Sequence, residues 1–239
     1  MTVPSLLSTV HFSGSFALLD GHLRRLRRSA AALAAHYHDA GPFANEKMPS
    51  DEAIVAAMRA AVDKMGSGAE QRVRVLVDGE GEVRVEASVF ERPAATAHGD
   101  RVVVLDDRPL RETHDGLVFM RNKTSERRVY DDARARRGVA AAPASDAVFD
   151  VLLYTEDGYV TECCIANIAV EIERDRWVTP PVSDLRPILP GVYREWLLAQ
   201  GQLEEMPIDI DLLKDCISRG MRVKCFNALR GEYFVTIRF

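Results

Sequence analysis

The chain has 239 residues, 47% of them hydrophobic, and a formal net charge of −5 from 31 Lys and Arg against 36 Asp and Glu. That length supports one large domain or two smaller ones with real cores. The mildly acidic balance leaves no electrostatic footprint for nucleic acid, although Arg24, Arg25, Arg27 and Arg28 cluster locally. No apolar run approaches the ~18 residues of a membrane-spanning helix, and Met1–Val10 lacks the basic and long apolar regions of a signal peptide. The four cysteines show no CxxC spacing, so neither a disulfide framework nor a metal site is expected, and a reducing, cytoplasmic setting is.

Residues 5–12 read as a short strand, with Leu6, Leu7, Val10 and Phe12 among Ser and Thr. Asp20 is placed to cap a helix running to about Tyr37, whose apolar face is Leu23, Leu26, Ala30, Leu33 and Tyr37. A second helix runs from Asp51 to Lys64, capped by Ser50 or Asp51 and ended by Gly66-Ser67-Gly68. The period then falls to two. Val73, Val75 and Val77 precede the turn Asp78-Gly79-Glu80-Gly81, and Val83, Val85, Ala87 and Val89 follow, a hairpin signature. Residues 92–100 read as a loop and Val102–Leu105 as a strand.

The polar stretch 107–116 is the expected connection between domains. Leu117-Val118-Phe119-Met120 reads as an apolar strand, followed by a helix from Glu126 to about Arg137. Val148–Tyr154, Val160–Thr161, Ile165–Glu173 and Trp177–Thr179 read as strands, with a tight turn at Glu156-Asp157-Gly158. Pro190-Gly191 opens a helix to about Gln200, Ile210–Cys216 is a short helix, and Val223–Phe226 and Tyr233–Ile237 close the sheet. Glu204-Glu205 and Asp209-Ile210-Asp211 read as solvated faces. By itself the sequence supports a mixed α/β (α+β) chain with a break near 107–116.

Few groups suggest chemistry on their own. The histidines are scattered, and no His/Ser/Asp grouping makes a hydrolase case. The helix opening at Pro190-Gly191-Val192-Tyr193 is a physically motivated phosphate site, because the first N–H groups of a helix are free to bind anions.

Order and wording say more. Lys123-Thr124 is followed by Thr161-Glu162-Cys163-Cys164-Ile165-Ala166-Asn167, Trp177-Val178-Thr179-Pro180 and Leu189-Pro190-Gly191-Val192-Tyr193-Arg194. His22-Leu23-Arg24-Arg25-Leu26 precedes them and Asn227-Ala228-Leu229 comes after. This resembles the class IV, fold-type IV family of pyridoxal-phosphate (PLP) enzymes, which includes branched-chain and D-amino-acid aminotransferases and 4-amino-4-deoxychorismate lyases. The Thr161–Asn167 wording and Asn227-Ala228-Leu229 look most like the lyase branch.

The resemblance implies a two-domain, D-amino-acid aminotransferase-like fold: a smaller N-terminal α/β domain over 1–112 and a larger C-terminal PLP-binding domain over 113–239. It also implies a cofactor in the cleft, a homodimer and a functional link to an aminodeoxychorismate synthase. Lys123 would condense with the cofactor aldehyde and serve as base and acid. Glu162 would face the pyridine nitrogen and keep it protonated, so that the ring accepts electrons. Arg25, the backbone of Val192 and Tyr193, and Asn227-Ala228 would bind the phosphate. Tyr193 stands where relatives often carry Thr or Ser.

Departures from the family pattern point at the substrate. Ser8 stands for an acid and His11 for an arginine, read as an opposite-charge pair lost from one face of the first strand. Asn122 replaces a usual His. His11, Asn122 and Arg230 are therefore the candidates for contacting a small-molecule substrate. The favoured reaction is cleavage of aminodeoxychorismate to 4-aminobenzoate and pyruvate. The alternative is transamination of branched-chain or D-amino acids or of amines, and a third reading is a non-catalytic relative, against which intact Lys123 and Glu162 argue.

Overall fold

The computed structural model describes residues 3–37, 43–44, 47–66, 68–91, 101–111, 114–140, 148–183 and 186–239. By its contacts the chain divides into two units. The first is Met1–Arg92 with Asn122–Arg127, and the second is Pro93–Arg121 with Arg128–Phe239. The expected loop at 92–100 lies outside the described residues, as does part of the 107–116 connection.

The first unit is an antiparallel sheet in the order β1 (Leu6–Phe12), β2 (Gln71–Val77), β3 (Val83–Val89), with helices α1 (Leu19–His36) and α2 (Asp51–Lys64) packed on it. The period-two pattern buries Val73, Val75 and Val77. Also buried are the helical-period residues Leu26, Ala30 and Leu33 of α1, which packs on β1, and Ile54, Met58 and Val62 of α2, which packs on β2 and β3. Asp78 Oδ1 accepts from the amides of Glu80 and Glu82 and closes the β2–β3 turn. Ser50 caps α2, accepting from Ala53 N. The start of α1 departs from expectation. Its N-cap is Leu18, in the left-handed region at φ 52° with no side-chain cap, and Asp20 sits inside the first turn.

Residues 122–127 belong to this unit because they dock on the free edge of β1. Leu7 N donates to Lys123 O at 2.8 Å, Ser125 N donates to Ser5 O, and Leu6 bridges Thr124. Thr124 Oγ1 accepts from Glu126 N, which holds the chain in a turn and delays the next helix, α4, to Arg128–Arg136.

In the second unit, Leu117–Met120 is a helix and not the strand expected: α3 spans His114–Arg121. A four-residue apolar run cannot separate a buried strand from a buried helix by periodicity. The eight-stranded sheet has the order β6 (Val160–Cys163), β5 (Val148–Tyr154), β4 (Val102–Leu105), β11 (Gly231–Arg238), β10 (Val223–Asn227), β7 (Asn167–Glu173), β8 (Arg176–Thr179), β9 (Glu204–Glu205). β4 lies between β5 and β11, parallel to both, so it belongs to this sheet although it precedes the polar connection.

Glu204 and Glu205 form a two-residue parallel edge strand, with side chains paired to Arg176 and Arg194. Ile165 and Ala166 fall outside β7, in the link from β6. That link closes a curl. β6 and β7 sit far apart in strand order, yet Cys163 and Ala166 bridge antiparallel. Val103, Leu152, Val160, Ile168, Val170, Val223, Val235 and Ile237 fill the resulting core, with Leu213 and Cys216 of α6 (Ile210–Ser218). Cys163 and Cys225 are free thiols 3.6 Å apart in this core. Among the described residues, no helix is long and apolar enough to cross a membrane.

One buried pair braces the β7–β8 turn. Glu171 accepts from Arg222 Nε at 2.8 Å and Nη2 at 2.6 Å, and from the amides of Asp175 and Arg222. The Arg222 guanidinium, aided by those amides, holds the Glu171 carboxyl at about 2 against an ordinary 4.5. A depressed carboxyl contributes stability that is full above the unfolded value and is lost as pH falls toward the folded one. Arg222 is partly exposed, which reduces the contribution to about 2 kcal/mol. Glu171→Gln should therefore destabilise the protein by that amount at pH 7, with the difference from the parent vanishing between about pH 4.5 and 2. Denaturant melts across that range check it.

Candidate active site

The segment from Thr161 to Asn167 folds as the end of β6, a tight turn and the start of β7. Cys163 N donates to Ala166 O at 2.9 Å, which leaves Cys164 and Ile165 at the turn's tip. Asp150, buried in the middle of β5, accepts from Ile165 N at 3.1 Å and from Val151 N at 2.9 Å, and pairs with Arg134 of α4 at 3.1 Å. A buried ion pair thus fixes the tip of the turn, and the turn fixes the residues on either side of it.

Those residues are Glu162 and Asn167. Glu162 is 3% exposed. Its Oε1 accepts from Tyr130 Oη at 2.8 Å and from Leu189 N at 3.1 Å, and its Oε2 accepts from Asn167 Nδ2 at 3.1 Å. Both oxygens accept, the pattern of a carboxylate rather than a carboxylic acid. Asn167 Nδ2 also donates to Leu189 O at 3.0 Å, tying the strand to the segment before α5 (Val192–Ala199).

Gly191 caps that helix in extended conformation. A Cβ on Gly191 would lie 2.2 Å from Asn167 Oδ1, so only glycine allows this approach. The helix then presents the amides of Val192 and Tyr193 at its N-terminus, as expected for an anion site. The Tyr193 side chain serves packing, with its ring against Trp196 and Phe226.

Asn227 also works as a brace. Its Oδ1 accepts from Leu229 N and Arg230 N, closing the β10–β11 turn around Ala228, and its Nδ2 donates to Ile165 O at 3.0 Å. The loop reaches the tip of the Glu162 turn, but its side-chain amide is spent on structure. Arg230 is half-buried, and its charge opposes the rise that burial imposes on the Tyr233 phenol.

In the first unit, Lys123 is half-buried, between the buried Asn122 and Thr124. The other lysines are occupied or exposed. Lys47 pairs with Glu80, Lys224 pairs with Glu232, Lys214 lies over the Phe239 ring, and Lys64 is exposed on α2. Arg25 is 5% exposed and its Nη2 donates to Ser8 Oγ at 3.0 Å. Ser8 Oγ also lies 2.8 Å from His22 Nδ1. Burial, then the charges of Arg25 and Lys123, hold the His22 imidazole well below the ordinary histidine value.

Ser8 and His11 do not share a face of β1. Three residues apart on a strand, they point to opposite sides: Ser8 toward α1, His11 to Glu70 at 2.9 Å with its ring edge-on to Phe90. The structure thus gathers Glu162, Asn167, Gly191, Val192 and Asn227 in the second unit, and Lys123, Arg25, Ser8 and His22 in the first. Tyr130, Asp150 and Arg134 were not singled out from the sequence. The signal available for Asp150 was a lone acid inside an apolar strand, which burial makes costly unless it is partnered. Tyr130 and Arg134 gave none.

Comparison with known proteins fits this arrangement. The sequence pattern of the family described as amino-transferase class IV matches residues 9–231. The chain therefore belongs to the class IV aminotransferase family, whose aminotransferase and aminodeoxychorismate lyase members are PLP-dependent enzymes. A Schizosaccharomyces pombe protein provisionally named an aminodeoxychorismate lyase is 27% identical over 230 residues, covering 96% of this chain and 88% of its own. A Mesorhizobium loti structure provisionally named an amino-acid aminotransferase is 26% identical with a TM-score of 0.78, covering 98% of this chain and 100% of its own. The 4-amino-4-deoxychorismate lyase of Pseudomonas aeruginosa shares the fold with a TM-score of 0.68 at 19% identity, over 98% of this chain and 82% of its own. The fold-type IV expectation is thereby met.

The close approach at Gly191 gives a direct test. Gly191→Ala should cost about 1–3 kcal/mol, the usual price of a forced contact in a packed site. Combining it with Asn167→Ala removes the atom that clashes. The double variant should then be more stable than the sum of the single losses implies, and a double-mutant cycle on melting data measures that coupling.

Proposed function

We propose that this chain is a PLP-dependent aminodeoxychorismate lyase, releasing 4-aminobenzoate and pyruvate. The observation that carries the PLP reading is the buried Glu162 carboxylate, held on both oxygens by Tyr130, Leu189 and Asn167. A carboxylate so satisfied is costly to build, which supports reading it as the partner of a basic ring nitrogen. The lyase reading is supported by the Thr161–Asn167 wording and by the similarity to the Schizosaccharomyces pombe protein along 96% of this chain.

The residues that the family resemblance names carry groups of the kinds the cofactor needs. Lys123 would carry it covalently, Glu162 would meet its ring nitrogen, and Arg25 with the amides of Val192 and Tyr193 would bind its phosphate. Once bound, PLP supplies an electron sink. Lys123 Nζ would remove the ring proton next to the substrate amine and would return a proton to the departing enolpyruvyl group. Glu162 would hold a proton at the ring nitrogen, and Asn167 and Tyr130 keep Glu162 from turning away. Aromatisation of the product makes the step downhill. The same reading carries a homodimer and a functional link to an aminodeoxychorismate synthase.

A second reading, transamination on the same residues, is favoured by the similarity to the Mesorhizobium loti aminotransferase over that chain's full length. The two differ in stoichiometry. A lyase completes its cycle on one substrate, whereas a transaminase needs a keto-acid acceptor and shows ping-pong kinetics. Coupled to a synthase supplying aminodeoxychorismate, the enzyme should release 4-aminobenzoate and pyruvate in equal amounts without acceptor. Acceptor-dependent deamination with no 4-aminobenzoate would decide for the transaminase.

Two substitutions test the roles. Lys123→Ala should abolish borohydride-fixed attachment of PLP and lower turnover by several orders of magnitude, since covalent and acid–base roles fall together. Persistent labelling would move the attachment to another lysine. Glu162→Gln keeps the shape and removes the charge, so turnover should fall steeply while PLP affinity changes little. Near-normal turnover would remove the carboxylate from the mechanism.

A further inference from the structure

The first unit buries a hydroxyl, an imidazole and a guanidinium in one line of hydrogen bonds, and the mechanism above uses only the guanidinium. Ser8 is wholly buried, and His22 and Arg25 are nearly so. His22 and Arg25 stand three residues apart on α1 and so share the face turned to β1. A guanidinium has only donors, so Ser8 Oγ must accept from Arg25. The hydroxyl's own hydrogen is then available to His22 Nδ1, 2.8 Å away. That arrangement satisfies the Ser8–His22 contact if the imidazole is neutral with its hydrogen on Nε2. Burial and the neighbouring charges of Arg25 and Lys123 enforce neutrality. An imidazolium would bring a third positive charge into the cluster and offer Ser8 a second donor in place of an acceptor.

We propose that Ser8 and His22 are positioning residues that aim the Arg25 guanidinium at the cofactor phosphate without themselves neutralising its charge. The proposal rests on the reading of Arg25 as a phosphate ligand. A carboxylate at position 8 would orient the guanidinium equally well, but it would also compete with the phosphate for its charge. A hydroxyl held by a neutral imidazole gives orientation alone. His22 needs only an acceptor at its Nδ1 position for this, so a side-chain amide there would serve and an apolar side chain would not.

The test is a titration of the apoenzyme with inorganic phosphate and with PLP by calorimetry, alongside apoenzyme melting, which reports any loss of fold separately. Arg25→Ala should weaken both affinities by about tenfold or more, as for loss of a charge-assisted bond. Ser8→Ala should weaken both severalfold, and the Ser8→Ala/Arg25→Ala pair should bind no worse than Arg25→Ala alone. Ser8→Asp should lose at least as much as Ser8→Ala. His22→Asn should bind like the parent and His22→Leu like Ser8→Ala. If Ser8→Ala fails to fold, Ser8→Asp and the His22 pair still decide. Parental affinity in Ser8→Ala or Ser8→Asp, equal affinity in the two His22 variants, or a Ser8 loss that adds to the Arg25 loss would overturn the proposal. Any of these, with Arg25→Ala still weakened, leaves the reading of Arg25 intact. An unchanged Arg25→Ala removes that reading and the proposal together.

Discussion

The second unit is organised around one buried carboxylate. Removing Glu162 from water costs several kcal/mol unless its oxygens find donors, and the fold supplies them from three separate elements: Tyr130 on α4, Asn167 on β7 and the Leu189 amide ahead of α5. These partners impose conditions of their own. Asn167 must also reach Leu189 O, and its Oδ1 then leaves no room for a Cβ at position 191. Helix α5, with its first amides at the N-terminus, therefore starts where it does because a carboxylate two strands of sequence earlier needs a brace.

A second tier of interactions holds that brace. Glu162 and Asn167 flank a turn whose tip is tied by Asp150 to Arg134 and by Asn227 to Ile165 O. The same turn joins β6 to β7 and so closes the curl of the sheet. Site and core are thus one construction: the bridge between Cys163 and Ala166 completes the sheet and, on either side, sets the separation of the two residues that matter. A substitution at Asp150 would act on Glu162 through backbone geometry, without touching it.

Local signals carried well into the sequence reading. Ser50 as a cap, the Asp78 turn and the alternating valines of β2 all act through neighbours a few residues away, and they appear where expected. Signals that depend on distant partners did not. Leu117–Met120 is a helix because its periodicity was too short to read, and β4 joins the second unit because its partners, β5 and β11, lie far along the chain. The positions of Lys123, Glu162 and Arg25 came from wording shared with a family, which says which residues matter but not what holds them. Tyr130 and Arg134 look like any helix residues in sequence, and only the fold turns them toward buried acids.

The two clusters differ in character, and the difference is chemical. The second unit contributes acceptors at Glu162 and backbone donors at α5, rigidly cross-braced. The first contributes cations, with Arg25 and Lys123 both close enough to His22 to oppose its protonation. Lys123 itself is anchored through its backbone, by the hydrogen bond from Leu7 at the edge of β1. In the proposed role Lys123 would form and break a covalent bond and carry protons, which calls for a fixed anchor. Seating Lys123 as an added rung on a strand edge supplies that anchor: its peptide is locked by the ladder that Ser5, Leu6 and Leu7 make with residues 123–125.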